Sequence, residues 1–382
     1  MGMSSFKRIL DIENTVKSKS VFLFGPRQTG KTFLLKHTLV NAKWFNLLEA
    51  ETFLNLSLNP GRIRDEVTSG KSGPVIIDEI QKLPSLLDEV QDLIESRGIK
   101  FVLTGSSARK LKRSGVNMLG GRARVRYLFS LTFAEIPDYN LHKAISIGTI
   151  PSVYTSDDPH DDLTSYCGTY LQQEIQSEGI SRNIEGFSRF LQTAAIVNGT
   201  LINMHSIASD AQLSPRTVSQ YFSILEDTLI GTMVEPFNRT KRRKAVSTAK
   251  FYFFDVGVAN TLAGRSNIVP RTELFGNAFE HLIFTELRSY ISYTRDERPL
   301  SFWRDRYGHE VDFIIGDNVG IEVKGTSTID NNDLKGLHML QEEIPLKHKV
   351  VVSLDKIPRK IGDIEILPWN IFLTRLWNNE FR

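Results

Sequence analysis

Apolar and polar positions along the chain follow two periods, and where each holds predicts the elements. Residues 5–18 carry apolar positions at helical spacing and lead into Val21-Phe22-Leu23-Phe24, the continuous apolar run of a strand covered on both faces. Further strands are predicted at Lys43-Trp44-Phe45-Asn46-Leu47, at Pro74-Val75-Ile76-Ile77, at Lys100-Phe101-Val102-Leu103 and from Val125 to Phe129. The pattern then turns helical from Leu163 to Val197, with Phe187, Phe190, Leu191 and Ala194 at one spacing and Gly199 to close it. Two short helices follow, the second opened by Ser214 as N-cap and Pro215 in the first turn. A hairpin is expected from Leu229–Val234 to Lys250–Phe254, then a helix over Gly276–Leu287, a strand at Leu300–Arg304, and two strands, Glu310–Ile315 and Gly320–Lys324, joined at Gly316-Asp317-Asn318.

Chemistry enters at the end of the first strand. Gly25-Pro26-Arg27-Gln28-Thr29-Gly30-Lys31-Thr32 has the strict G-x-x-x-x-G-K-[ST] spacing of a phosphate-binding loop between a strand and a helix that opens at Phe33. Glycines let backbone N–H groups turn inward around an anion, and the helix N-terminus adds its dipole, so the stretch Gly25 to Phe33 is expected to cradle ATP. Lys31 would reach the β- and γ-phosphates, and Thr32 would ligate Mg2+. Asp78 and Glu79 end the third strand, where open α/β sheets bind ligands. Asp78 would hold the magnesium shell and Glu79 would act as general base. Thr104 or Ser106 would touch the γ-phosphate or its attacking water. Arg122, after the pair Gly120-Gly121, would stabilise transition-state charge in cis or on a neighbouring subunit, or else form a surface salt bridge.

Composition narrows the setting. At 382 residues the chain is longer than one core usually serves. The formal charge of +3 is too small to imply nucleic acid by itself, so that case depends on local distribution. Cys167 is the single cysteine, which excludes internal disulfides and a cysteine-based zinc site and suits a reducing, cytoplasmic setting, with a buried structural thiol as its role. No run approaches the ~20 apolar residues of a membrane span, and the start Met1–Phe6 has no signal-peptide apolar region, so no membrane partner is expected.

Local charge is informative in the middle of the chain. Arg216, Thr217, Ser219 and Gln220 are polar positions on a helix whose Val218, Phe222 and Leu225 face inward, which is the grammar of a recognition helix in a winged helix. The hairpin tip, Arg239-Thr240-Lys241-Arg242-Arg243-Lys244, concentrates five cations in six residues, so Arg239, Lys241, Arg242, Arg243 and Lys244 are expected at phosphates of DNA. A protein-contact role for this region is the alternative.

In the last third, Asp312 and Glu322 lie on adjacent antiparallel strands, and period-two alternation allows both carboxylates on one face, with Lys324 beside Glu322. Two carboxylates around Mg2+ would position a water and a scissile phosphate, Lys324 would stabilise charge, and Glu280 would add a ligand from the helix. Asp255, after an apolar strand, is expected only to cap the next turn.

The loop Gly25–Thr32, the stretch Ile77-Asp78-Glu79-Ile80-Gln81-Lys82-Leu83-Pro84, and Leu103-Thr104-Gly105-Ser106-Ser107 with Gly121-Arg122 together resemble a bacterial and archaeal family of AAA-type ATPases fused to a C-terminal region historically labelled a domain of unknown function. The resemblance runs over nearly the whole chain. It implies a RecA-like core with an additional strand between the P-loop and Walker B strands, and assembly into homo-oligomers such as rings. The Asp312, Glu322 and Lys324 set resembles the PD-(D/E)xK nuclease superfamily. The expected fold is α/β: an AAA-type P-loop ATPase domain over 1–145, a helical and winged-helix domain over 146–265, and a restriction-endonuclease-like domain over 266–382. The expected activity is an ATP-driven motor that binds and remodels DNA. A nucleotide-dependent switch that binds a protein partner and an ATP-gated, defence-type metal nuclease are the alternatives.

Overall fold

The computed structural model describes residues 6–67, 73–107, 111, 119–170, 184–240, 243 and 245–382. They form two compact units. One comprises Lys7–Ser130 with Asp227–Ile230, and the other Leu131–Glu226 with Gly231–Arg382 and Phe6, each over its described residues.

The first unit is built on a five-stranded parallel sheet in the order β2-β3-β4-β1-β5, with β1 Ser20–Phe24, β2 Lys43–Asn46, β3 Val75–Asp78, β4 Phe101–Gly105 and β5 Ala123–Tyr127. This is the RecA-like arrangement, and β4 is the additional strand between β1 and β3. Every residue of β1, β3 and β4 is buried, as strands covered on both faces require. Phe22 and Phe24, Ile77, Leu103 and the inward side of the helix Leu86–Arg97 share one core. That helix stops at Gly98, whose φ of 65° is the left-handed turn glycine adopts at little cost. The opening helix is shorter than the apolar spacing predicts, Ile12–Ser18, because Asp11 caps it by accepting from Asn14 N at 3.0 Å.

In the second unit, helices Leu141–Ile147, Ile184–Ile196, Met204–Asp210 and Pro215–Asp227 precede the antiparallel pair β6 Gly231–Val234 and β7 Lys250–Phe253. Ser214 does cap its helix, accepting from Thr217 N at 3.1 Å. Asp255 caps the helix Val256–Leu262, accepting from Gly257 N and Val258 N. A mixed six-stranded sheet follows in the order β12-β13-β11-β10-β9-β8, with β8 Leu300–Arg304, β9 Glu310–Ile315, β10 Val319–Val323, β11 His348–Ser353, β12 Arg359–Ile361 and β13 Ile364–Pro368. The helix Glu273–Thr294 packs Phe279, Ile283, Phe284 and Leu287 on one side with Phe313, Ile315 and Ile321. The helix Lys335–Gln341 packs Leu337 and Leu340 on the other with Val311, Ile314 and Val351.

Strict alternation fails once in β9. Ser301 pairs with Ile314 but Trp303 pairs with Val311, so β9 carries one extra residue at Asp312-Phe313. Such a bulge re-aims side chains, which explains why Val311 and Phe313, two apart, belong to opposite cores.

The hairpin loop lies on the edge strand β8. Phe237 N donates to Phe302 O at 2.6 Å and Val246 N to Arg304 O at 2.9 Å, while the Phe237 ring joins the core with Trp303.

Candidate functional site

Because all five strands of the first sheet run parallel, the carboxyl ends of β1, β3 and β4 share one edge, and Gly25–Thr32, Asp78-Glu79 and Thr104–Ser106 meet there. The loop needs its glycines for identifiable reasons. A Cβ on Gly25 would stand 2.2 Å from Leu128 O, and Gly30 has a φ of 92°. Gln28 also takes a left-handed φ of 62°. Thr29 Oγ1 donates to Pro26 O at 2.9 Å, and Lys31 Nζ donates to Gly25 O at 2.7 Å and Pro26 O at 3.0 Å, fixing the ammonium inside the loop. Arg27 is half-buried on the rim of this loop, and Phe33, exposed, stacks on His37 with centroids 3.9 Å apart.

Thr32 Oγ1 donates to Asp78 Oδ2 at 3.1 Å, setting a hydroxyl and a carboxylate, hard oxygen donors of the kind Mg2+ prefers, side by side. The set fits that ion, which when bound supplies charge neutralisation at a transferring phosphate. The Thr104 hydroxyl donates to Asp78 Oδ1 and accepts from Glu79 N at 3.1 Å. Expected at a γ-phosphate, Thr104 is instead engaged by the Asp78 carboxylate and the Glu79 backbone N–H. Glu79 adopts a left-handed φ of 62°, a conformation that costs a non-glycine residue about 1–2 kcal/mol and so marks a position kept for its side chain.

Gln81 and Arg8 are contributors that sequence reasoning missed. Gln81 Nε2 donates to Glu79 Oε2 and to Ser106 Oγ. It stands two residues after Glu79, so its position in the motif was the available signal. Arg8 donates to Thr29 O and Phe129 O, each at 2.7 Å, bracing the loop from a segment with no local signature.

Arg122 lies elsewhere. β5 runs parallel to β1 with Ala123 beside Ser20, so Arg122 sits at the opposite edge of the sheet from the cradle, where Nε pairs with Glu95 Oε1 at 2.7 Å. The cis role is therefore corrected by geometry, and the contact observed is the surface salt bridge that was the alternative expectation.

A second cluster occupies the second unit. The β9–β10 register runs to Ile321↔Phe313, and Asp312 and Glu322 are the next residue on each strand. Asp312 Oδ2 accepts from Val323 N at 2.7 Å, Glu322 Oε1 accepts from Lys324 Nζ at 2.7 Å, and Glu322 Oε2 is buried without a partner. Burial, then Glu322 and Glu280, hold the Asp312 carboxyl well above the usual carboxylate range. Burial also raises Glu322, against Lys324. Burial opposes the charge on Lys324, but Glu322 and Asp312 outweigh it and hold the ammonium above its ordinary value.

Glu280 does not join Asp312 and Glu322 as a third ligand. Its Oε1 accepts from Tyr252 Oη at 2.6 Å and from Lys250 Nζ at 3.2 Å. Among the described residues, no group of three or more His, Cys, Asp or Glu side chains is placed to hold a metal ion. Glu280 is engaged by Tyr252 and Lys250, so the candidate oxygens are those of Asp312 and Glu322, of which Glu322 Oε2 has no hydrogen-bond partner. Lys250 and Tyr252, which complete this cluster from β7, were missed because they sit in an aromatic strand whose partners follow much later in the chain.

On the helix Pro215–Asp227, Arg216 and Gln220 are exposed and Thr217 is half-buried, its hydroxyl 2.8 Å from Ser214 Oγ. At the hairpin tip Arg239 is exposed, while Lys241, Arg242 and Lys244 lie outside the described residues. Arg243 is not free for a phosphate, which corrects its expected role: it pairs with Glu342 at 2.7 Å and Glu343 at 3.4 Å and donates to Met339 O.

Sheet order, loop and acid pair together define the first unit as a P-loop domain of the AAA type. Residues 17–137 match the family described as AAA domain, and two domains of unknown function follow, over 138–268 and 275–372. The chain thus carries an AAA-type ATPase domain ahead of two domains whose descriptions assign no activity. It is 24% identical over 320 residues to an uncharacterized protein of Mycobacterium tuberculosis, covering 81% of this chain and 70% of that one, and equally to one of Mycobacterium bovis. An uncharacterized protein of Haemophilus influenzae is 22% identical over 231 residues, 56% of each chain. Among solved structures, the DNA clamp loader delta protein of Bacillus subtilis aligns at 14% identity and a TM-score of 0.26, covering 56% of this chain and 87% of that one. A STAND signal-transduction ATPase of Pyrococcus horikoshii aligns at 14% identity and a TM-score of 0.21, covering 73% and 46%. No helix among the described residues is long and apolar enough to cross a membrane.

Proposed function

We propose that the protein is an ATP-hydrolysing motor that binds and remodels DNA. The observation that carries the hydrolysis is the chain of contacts Thr32–Asp78–Thr104–Glu79 at the mouth of the loop. Lys31 holds the phosphates of ATP, Thr32 and Asp78 hold Mg2+, and Glu79 takes the proton of the attacking water, its carboxylate oriented by Gln81. Arg122 acts on the site of a neighbouring copy in a cytoplasmic homo-oligomer such as a ring.

DNA contact is supported by the exposed Arg216 and Gln220 on a capped helix that follows Met204–Asp210 in helix-turn-helix order, and by exposed Arg239. The test is steady-state ATPase activity with linear, single-stranded and four-way-junction DNA. Turnover rises with at least one of these and is abolished by Lys31→Ala and by Glu79→Gln. Turnover indifferent to every DNA would overturn the DNA reading, and turnover surviving both variants would overturn the hydrolysis reading.

A further inference from the structure

Asp305 to His309 join β8 to β9 in a turn organised by one buried carboxylate. Asp305 Oδ1 accepts from Tyr307 N at 2.8 Å and His309 N at 3.0 Å, and Oδ2 lies 2.8 Å from His309 Nδ1. Asp305 N donates to His309 O at 2.9 Å and Gly308 N to Asp305 O at 3.2 Å, with Gly308 at a left-handed φ of 89°. The two side chains at the tip take no part in this scaffold. Tyr307 is 79% exposed, more than any other Phe, Tyr or Trp among the described residues. Arg306 beside it is exposed and forms no ion pair among them. A ring held in water by a tied turn supports no core, so its face is available to a ligand.

Cations lie along the same edge of the sheet. β9 is antiparallel to β10 and β10 parallel to β11, so the turn before β9 and the loops after β10 and β11 share one edge. Those two loops, Gly325–Thr328 and Leu354–Ile357, line a cleft of about 1110 Å³ with the exposed Arg271 and Lys356. Beyond the turn, the hairpin that carries Arg239 bridges to it at Ala245 and Asp305. The acids of this edge are buried or countered: Asp312 and Glu322 are buried, Lys324 faces Glu322 and Arg304 faces Glu310. Cations that track phosphates, with an aromatic face set among them, are the two components that bind a single strand.

We infer that Tyr307 is a stacking platform for an unpaired base of single-stranded DNA, with Arg306 at the adjoining phosphate. A duplex keeps its bases stacked on one another and offers this ring no face. The inference rests on the proposed DNA binding and deepens it, at a site on different elements from Arg216 and Gln220.

The test is fluorescence anisotropy of labelled oligo(dT), and of a duplex of equal length, with the nucleotide-free full chain at two salt concentrations. Tyr307→Ala is expected to lose about five- to 150-fold in affinity for oligo(dT) with its salt slope unchanged, and to stay within about twofold on the duplex. Tyr307→Trp should keep the affinity and gain indole quenching on oligo(dT) that wild type lacks. Arg306→Ala should lower the salt slope for oligo(dT) by about 0.7. A folded Tyr307→Ala that binds oligo(dT) as wild type does, or that loses equally on both DNAs, would overturn the inference and leave DNA binding standing. Wild type that binds the duplex but not oligo(dT) would do the same, whereas wild type that binds neither would overturn the DNA reading as well.

Discussion

Replacing Gly25 by alanine tests the cradle at its most constrained point. The added Cβ would lie 2.2 Å from Leu128 O and 3.2 Å from Thr29 Oγ1. The first neighbour is a backbone carbonyl whose own N–H is tied to Phe24 O at 2.8 Å, so it has no rotamer by which to retreat. Restoring ordinary contact requires the loop to move by about 1 Å, and a displacement of that size at a reacting centre costs about 100-fold. Lys31 would move with it, because its ammonium is anchored on Gly25 O and Pro26 O. Gly30→Ala is the companion variant: its Cβ would meet nothing nearer than Arg8 at 3.7 Å, and its penalty is the left-handed φ of 92°, about 1–2 kcal/mol. Binding of a fluorescent ATP analogue and steady-state turnover, with circular dichroism to verify folding, should show Gly25→Ala losing about 100-fold in turnover per unit of ATP and Gly30→Ala losing about five- to thirtyfold. A folded Gly25→Ala with wild-type affinity and rate would refute the steric reasoning.

Glu286, buried and accepting from Phe133 N at 2.7 Å and Trp377 Nε1 at 2.9 Å, is pushed up to about 8 by burial. The folded state then keeps its proton while the unfolded chain loses it near 4.5, so stability of the second unit falls as pH rises from about 4.5 to about 8, by at most about 5 kcal/mol. Thermal unfolding across that range should show a pH slope that Glu286→Gln flattens; an unchanged slope would assign it elsewhere. Arg243→Ala should leave DNA affinity within about twofold while lowering the melting temperature of the second unit, whereas Arg216→Ala should weaken DNA binding uniformly and reduce its salt dependence. Filter binding at two salt concentrations checks both, and a loss of DNA affinity confined to Arg243→Ala would reverse the assignment.

The first unit is legible in the sequence because β1, β3 and β4 are largely apolar, fully buried runs and Gly25–Thr32, Asp78-Glu79 and Thr104 stand at their carboxyl ends, so motif and position coincide. Thr104 is legible as a site residue but not in its role, since only pairing of β3 with β4 brings its hydroxyl to Asp78 rather than to a ligand. For Arg122 the cis role fails and the salt-bridge alternative holds, because proximity to a glycine pair says nothing about which edge of a parallel sheet a residue occupies. In the second unit the nearness of Asp312 to Glu322 follows from a short hairpin, but the bulge at Asp312-Phe313 does not. Val311-Asp312-Phe313-Ile314-Ile315 alternates acceptably in isolation, and the extra residue is visible only against β8. Arg243 is misread in the same way, because the carboxylates that take it up lie a hundred residues further on.

Strand β7 divides its residues between two neighbours. Phe251 meets Phe222 of the helix Pro215–Asp227, with ring centroids 4.9 Å apart, while Tyr252 stacks on Phe284 of the helix Glu273–Thr294 at 4.3 Å and Lys250 neutralises Glu280 and Glu310. A fragment beginning after residue 265 would forfeit that ammonium and leave two carboxylates with one of their cations missing, a loss of about 3–5 kcal/mol where the pair is buried. The helical segment and the mixed sheet are therefore inheritable only as a single piece: recombination, truncation or fusion across their junction would break a charge balance as well as a core.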